Sequence, residues 1–182
     1  MKKLFALLIL PFSVLVAQNK DVVSPSSNLI IEGIPSIPSF ISSEVKKYAE
    51  SRSAGFGAWH PVKKEMLIST RFGNVSQLHE VKMPMGARKQ VTFYDEPVAG
   101  ASYEPKNGDY YIFSRDIGGN EFGQLYRRDV KTGNTTLITD GGRSQNGGIT
   151  WSNAGKIMAY TSTKRNSADR DIYLMDPANP SS

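Results

Sequence analysis

A unit of 47 residues comes round three times in this chain. Gln77-Leu78-His79 is answered by Gln124-Leu125-Tyr126, and that by Asp171-Ile172-Tyr173, each 47 positions further on. Gly86, Val91 and Thr92 return as Gly133, Ile138 and Thr139, and Gly108 returns as Gly155. A period of this length, cut into short apolar runs, is that of a β-propeller blade: four antiparallel strands that bury their faces only by stacking on neighbouring blades. The repeat therefore predicts an all-β fold, a partial β-propeller of about three four-stranded antiparallel blades.

The strands follow from the turn residues between them. First strands should end at Trp59-His60-Pro61, Tyr103-Glu104-Pro105 and Trp151-Ser152-Asn153. Second strands are expected over 66–70, 110–114 and 157–162, third strands over 77–83, 124–130 and 171–176, and fourth strands over 88–93 and 135–139. Pro84-Met85-Gly86 and Lys131-Thr132-Gly133 are good turn chemistry between third and fourth strands. The blades then span 52–92, 93–139 and 140–182, the last without a fourth strand. Rings close at roughly four to eight blades. The expectation is a piece of a longer protein, the alternative being a small open stack or one that pairs with another chain.

The N-terminal part is different. Lys2-Lys3, the apolar run from Leu4 to Val16 and the small residue Ala17 read as a secretory signal peptide over 1–17, too short to span a membrane comfortably. Its removal would leave Gln18 as the mature N-terminus, with no stable membrane anchor and a periplasmic or secreted destination; an uncleaved anchor is the other reading. Residues 18–38 look extended, with Leu29-Ile30-Ile31 as a candidate short strand. Residues 39–51 read as a short helix. Ser39 is its candidate cap, and Phe40, Ile41, Val45 and Tyr48 form one apolar face suited to packing against a core.

Composition removes several classes of function. A hydrophobic fraction of 39% with 21% charged residues suits a core-burying chain rather than a disordered one. There is no cysteine, hence no disulfide framework, thiolate nucleophile, thiolate-bound metal or lipid-modified N-terminus. The net charge is +5, of which Lys2 and Lys3 would leave with the signal. The basic residues come in isolated pairs such as Lys46-Lys47 and Arg127-Arg128 without interleaved aromatics, so no nucleic-acid partner is expected.

The third unit reads Trp151-Ser152-Asn153-Ala154-Gly155-Lys156-Ile157-Met158-Ala159-Tyr160-Thr161-Ser162 and then Asp171-Ile172-Tyr173-Leu174-Met175-Asp176. It resembles the repeat shared by the TolB family of periplasmic propellers and the prolyl oligopeptidase family of serine peptidases, departing from it at Asn153-Ala154. The runs around Glu32-Gly33-Ile34-Pro35, Thr70 to Asn74, Gly86 to Phe93 and Arg115 to Phe122 resemble the N-terminal half of secreted bacterial prolyl-oligopeptidase-family enzymes. That resemblance covers nearly all of 28–177. It implies a propeller that gates and orients peptide substrates for an α/β-hydrolase domain carrying a Ser-Asp-His triad on the C-terminal side. No G-x-S-x-G motif occurs in this sequence; Ser144 in Gly142-Arg143-Ser144-Gln145-Asn146 comes nearest. The chain alone is therefore expected to lack catalytic residues and peptidase activity, and its peptide substrates would be met through a domain beyond Ser182. A non-catalytic TolB-like scaffold that binds proteins is the alternative.

Within the chain, Arg115, Asp116 and Glu121 are the candidate substrate-binding residues, on a loop loosened by Gly118 and Gly119. The resemblance implies propeller-borne glutamates that hold a peptide's ammonium group, although only Glu121 is suitably placed here. The plainer reading is a tight loop held by an Arg115–Glu121 ion pair or by Asp116 with an arginine. His60 and His79 are the only histidines, 19 apart and without metal-ligand spacing, so no metal and no cofactor are expected. Asp140-Gly141-Gly142-Arg143 and Asn146-Gly147-Gly148 lack the residues of a nucleotide loop and read as a crossing between blades.

Overall fold

The computed structural model of the protein describes residues 21–25 and 29–180. The signal-peptide reading of residues 1–17 lies outside the described residues. The chain forms two compact units, divided between Ser51 and Arg52. Among the described residues no helix is long and apolar enough to cross a membrane.

The first unit holds one helix, α1 (Ser39–Ala49), behind a bridge between Val22 and Pro38. Pro38 takes the N-cap position in an extended conformation, and Ser39 is already helical. Without a side-chain cap, the Ser39 carbonyl instead accepts the Ser43 hydroxyl at 3.1 Å. The expected packing of the Phe40, Ile41, Val45 and Tyr48 stripe is not found: all four are exposed and the helix buries no residue. Leu29, Ile30 and Ile31 are likewise exposed and form no strand.

The second unit is three antiparallel sheets. Blade 1 has the strand order β1 (Ala54–Trp59), β2 (Met66–Thr70), β3 (Gln77–Val81) and β4 (Lys89–Gln90). Blade 2 repeats it with β5 (Ala99–Tyr103), β6 (Tyr110–Arg115), β7 (Gln124–Asp129) and β8 (Thr135–Leu137). Blade 3 has three strands, β9 (Asn146–Trp151), β10 (Met158–Ser162) and β11 (Asp171–Met175). Each first strand ends at the aromatic residue that the sequence marks. The fourth strands are shorter than expected. Asn146-Gly147-Gly148 belongs to β9 rather than to a crossing. Gly148 sits in the left-handed region at φ 65°, within a bulge where β9 runs one residue ahead of β10.

Blade 2 shows why a single blade is not enough. Strand β6 is buried on both faces, so its period-2 alternation points apolar residues in two directions. Tyr111 and Phe113 face blade 1, where Leu67 and Leu78 meet them together with Tyr103 and Tyr126. Tyr110 and Ile112 face blade 3 and pack with Leu125, Ile138, Met158, Tyr160 and Met175. The two cores lie between blades, not within them.

Candidate functional site

The blades have two ends. At one, each blade crosses to the next and the loop between second and third strands turns; at the other lie the tight turns. The crossing end of blade 2 holds an open cavity of about 680 Å³. The chain leaving blade 1 contributes Asp95 and Glu96 to it. The end of β6 and the loop into β7 contribute Arg115, Asp116 and Glu121.

The first segment is fixed by Gln77, which is buried. Its amide donates to the carbonyls of Tyr94 at 3.0 Å and Glu96 at 2.9 Å and accepts the Tyr94 N–H at 3.2 Å. The second segment turns through Gly118 and Gly119, at φ 63° and 72°. The Gly118 N–H donates to Glu96 Oε1 at 2.8 Å, tying the two segments together. Asp116 Oδ2 accepts the Glu121 N–H at 3.0 Å and holds Glu121 at φ 62°, a left-handed conformation rare for a side chain of this kind.

The structure thus brings Arg115, Asp116 and Glu121 to one cavity, but not through the ion pairs weighed from sequence. The partner of Arg115 is Glu96, with Nη1 3.2 Å from Oε2. Its guanidinium lies between the rings of Tyr94 and Tyr126, 4.2 and 4.7 Å from their centroids. Arg115 is a strut that joins the crossing to β6. The Glu96 carboxyl is held below the usual carboxylate range, first by the Gly118 N–H, next by its own backbone N–H and then by Arg115. Glu96 lies outside the repeated residues, and Asp95-Glu96 side by side in the crossing is the only sequence mark it leaves. Four carboxylates line the cavity against one guanidinium, which Glu96 already pairs. Asp116 and Glu121 therefore present unneutralised negative charge, suited to a cation and not to an anion.

Elsewhere the polar residues have structural partners. His79 is buried, its ring 5.2 Å from that of Phe72 and its Nδ1 3.1 Å from the Gln77 carbonyl. His60 is buried at the turn end, where its Nδ1 accepts the N–H groups of Val62 and Lys63, each at 3.2 Å. Burial comes first and Lys63 second in lowering its pKa. Ser144 donates to Asp140 Oδ1 at 2.5 Å and to no histidine, a crossing clamp without the arrangement of a nucleophile. Among the described residues no group of three His, Cys, Asp or Glu side chains is placed to hold a metal.

Antiparallel blades stacked face to face and joined at one end define the class: a partial TolB-like β-propeller. The structure is similar to a protein described as a TolB from Agrobacterium tumefaciens, with a TM-score of 0.57 at 19% identity over 70% of this chain and 47% of that one. It is also similar to TolB from Acinetobacter baumannii, with a TM-score of 0.52 at 24% identity over 70% of this chain and 30% of that one. The chain thus spans about half the length of the first and less than a third of the second. No protein-family profile and no curated protein matches it. At these identities the likeness is one of fold, and the peptidase side of the sequence resemblance rests on the sequence runs alone.

Proposed function

We propose that this chain is the blade stack of an exported TolB-like propeller that serves as a protein-binding scaffold, taking a cationic group of its partner into the cavity at the crossing end of blade 2. The observation that carries this is the charge of that cavity: Asp116 and Glu121 stand unneutralised beside an Arg115 already committed to Glu96 and two tyrosine rings. A primary ammonium fits such a site because carboxylates make charge-assisted hydrogen bonds to it.

A second reading draws on the same feature and on the run from Arg115 to Phe122. The cavity would hold the amino terminus of a peptide and orient it toward a serine-peptidase domain in a longer form of the protein. One titration addresses both readings. A short peptide with a free amino terminus should bind the chain by calorimetry, and its N-acetylated form about tenfold more weakly or worse. Asp116→Asn and Glu121→Gln should each weaken the free peptide toward the acetylated value. Equal binding of the two peptides would remove the cation site from both readings. The second alone requires that a longer form react with a serine-directed fluorophosphonate while the 21–180 segment does not.

A further inference from the structure

The interface between blades 1 and 2 departs from that between blades 2 and 3 at two positions that the repeat makes equivalent. Residues paired across neighbouring strands share one face of a sheet. The register of blade 2 therefore sets Tyr103, Tyr111 and Arg128 in one row, on the face toward blade 1. The matching row of blade 3 is Trp151, Met158 and Met175, toward blade 2. Met158 and Met175 are buried and fill their interface. The residues 47 positions before them are Tyr111 and Arg128, and here a cavity of about 350 Å³ remains between the two sheets.

Blade 1 lines the other side of this cavity with the row Leu67, Glu80 and Lys89, and Val91 and Phe93 continue the apolar wall. The charges do not cancel across the gap. Glu80 has Lys82 as its ion partner, with Nζ 3.6 Å from Oε2, and Asp129 is held by Arg127 at 3.0 Å. Arg128 gives Nη1 to the neutral Thr135 hydroxyl at 3.0 Å, and among the described residues neither Arg128 nor Lys89 has an ion pair. Two cations are thus left without a counter-ion. The Tyr111 hydroxyl is buried and has no hydrogen-bond partner. Burial pushes its pKa up against the pull of the Arg128 charge, so the group stays protonated, and a guanidinium offers it no acceptor.

We propose that the cavity between blades 1 and 2 binds a small organic carboxylate with an apolar body, its carboxylate held by Arg128, Lys89 and the Tyr111 hydroxyl and its body laid against Leu67, Val91 and Phe93. A carboxylate supplies what each polar group lacks: counter-charge for two cations, in a shape that the guanidinium fork matches, and an acceptor for the phenol. Apolar walls with a few polar groups, in a volume within the range of roughly 300–1,000 Å³, are the make-up of a small-molecule site. An inorganic anion would leave the apolar wall unused. This site differs in charge and place from the acidic cavity at the crossing end, so either can fail without the other.

Phenylacetate and phenylacetamide, alike in shape and different in charge, are the probes. In an NMR titration of the full chain, phenylacetate should shift the amide signals of Leu67, Glu80 and Arg128 saturably, and phenylacetamide should bind about tenfold more weakly or worse. Arg128→Gln and Lys89→Gln should each weaken phenylacetate while circular dichroism stays that of the unaltered chain. Tyr111→Phe separates a ligand group from a packing group, because it keeps the ring and removes only the hydroxyl. Its thermal midpoint should be unchanged or raised, since no partner is lost, while phenylacetate binds about threefold more weakly or worse. A lowered midpoint would give the hydroxyl a partner within the protein and overturn the proposal. Equal binding of the two probes, shifts that do not saturate, or phenylacetate binding indifferent to both Arg128→Gln and Tyr111→Phe would overturn it as well.

Discussion

Gln124 is only 2% exposed, and both ends of its amide are engaged. Nε2 donates to the carbonyls of Ser144 at 2.8 Å and Gly142 at 3.2 Å, and Oε1 accepts the Thr139 hydroxyl at 2.7 Å and the Gly141 N–H at 3.0 Å. Thr139 Oγ1 in turn accepts the Leu125 N–H at 3.0 Å, as Thr92 does for Leu78 at 2.8 Å. Recurrence of Gln and Thr every 47 residues is thus a clamp that pins the crossing segment to the third strand. Gln124→Ala takes away the partners of the Gly142 carbonyl and the Gly141 N–H, while the Ser144 carbonyl keeps the Asn146 amide, and should cost about 2–3 kcal/mol in urea unfolding. Gln124→Glu turns a carboxylate oxygen toward two carbonyls, so its deficit should shrink as pH falls and the carboxyl protonates. A Gln124→Ala loss within experimental error would remove the clamp. His60 provides a second test. Its folded-state pKa is below the ordinary 6.5, so the unfolded chain binds the proton more readily, and stability contributed by neutral His60 is lost as pH falls through and below that value. Asn at this position can still accept the turn N–H groups without titrating, as the Glu104 carboxylate accepts those of Lys106 and Asn107 in blade 2. His60→Asn should therefore flatten the dependence of the urea midpoint on pH between about 7.5 and 5.5; an unchanged slope would assign the dependence to other groups.

The turns explain the paired glycines. Gly108 and Gly155 sit at φ 70° and 75° in equivalent turns, each pressed against the turn of the preceding blade. A Cβ on Gly108 would lie 2.6 Å from His60 Cε1, a ring held by two hydrogen bonds and unable to yield. A Cβ on Gly155 would lie 2.9 Å from Lys106 Cγ, part of a flexible chain that can swing away. Both alanine variants incur the left-handed strain of about 1–2 kcal/mol, but Gly108→Ala should be the more damaging by a further kcal/mol or so. Equal thermal shifts would show that φ alone sets the requirement. The elements were legible in the sequence to the extent that they were local. Trp59, Tyr103 and Trp151 end their strands where an aromatic meets turn residues, and the third strands begin at the residues that repeat. What could not be read depends on partners far along the chain. The fourth strands are trimmed because Thr92 and Thr139 give their hydroxyls to the third strand in place of continued pairing. The ion pair of Arg115 with Glu96 spans 19 residues and leaves no periodic trace. The apolar stripe of α1 marks a face that wants covering, and nothing local says what covers it.

At the scale of the whole blade stack, stability should be graded from the middle outward. Blade 2 is buried on both faces, with Ile112 and Phe113 fully enclosed in the two cores that it shares with its neighbours. Blades 1 and 3 each have one shared core and one face carrying exposed apolar residues. In a linear stack each unit is held by its own folding term and by the interfaces it makes, so the unit with two interfaces opens last. Native-state hydrogen exchange measured under dilute conditions should find the slowest amides in β6 and β7 and the fastest in β4, which has only two residues. Phe113→Ala should destabilise by about 3–5 kcal/mol and accelerate exchange most in blade 1, whose only shared core it empties, while Met158→Ala should do so most in blade 3. If both substitutions accelerated exchange equally throughout, the stack would be one cooperative block and the graded scheme would fail.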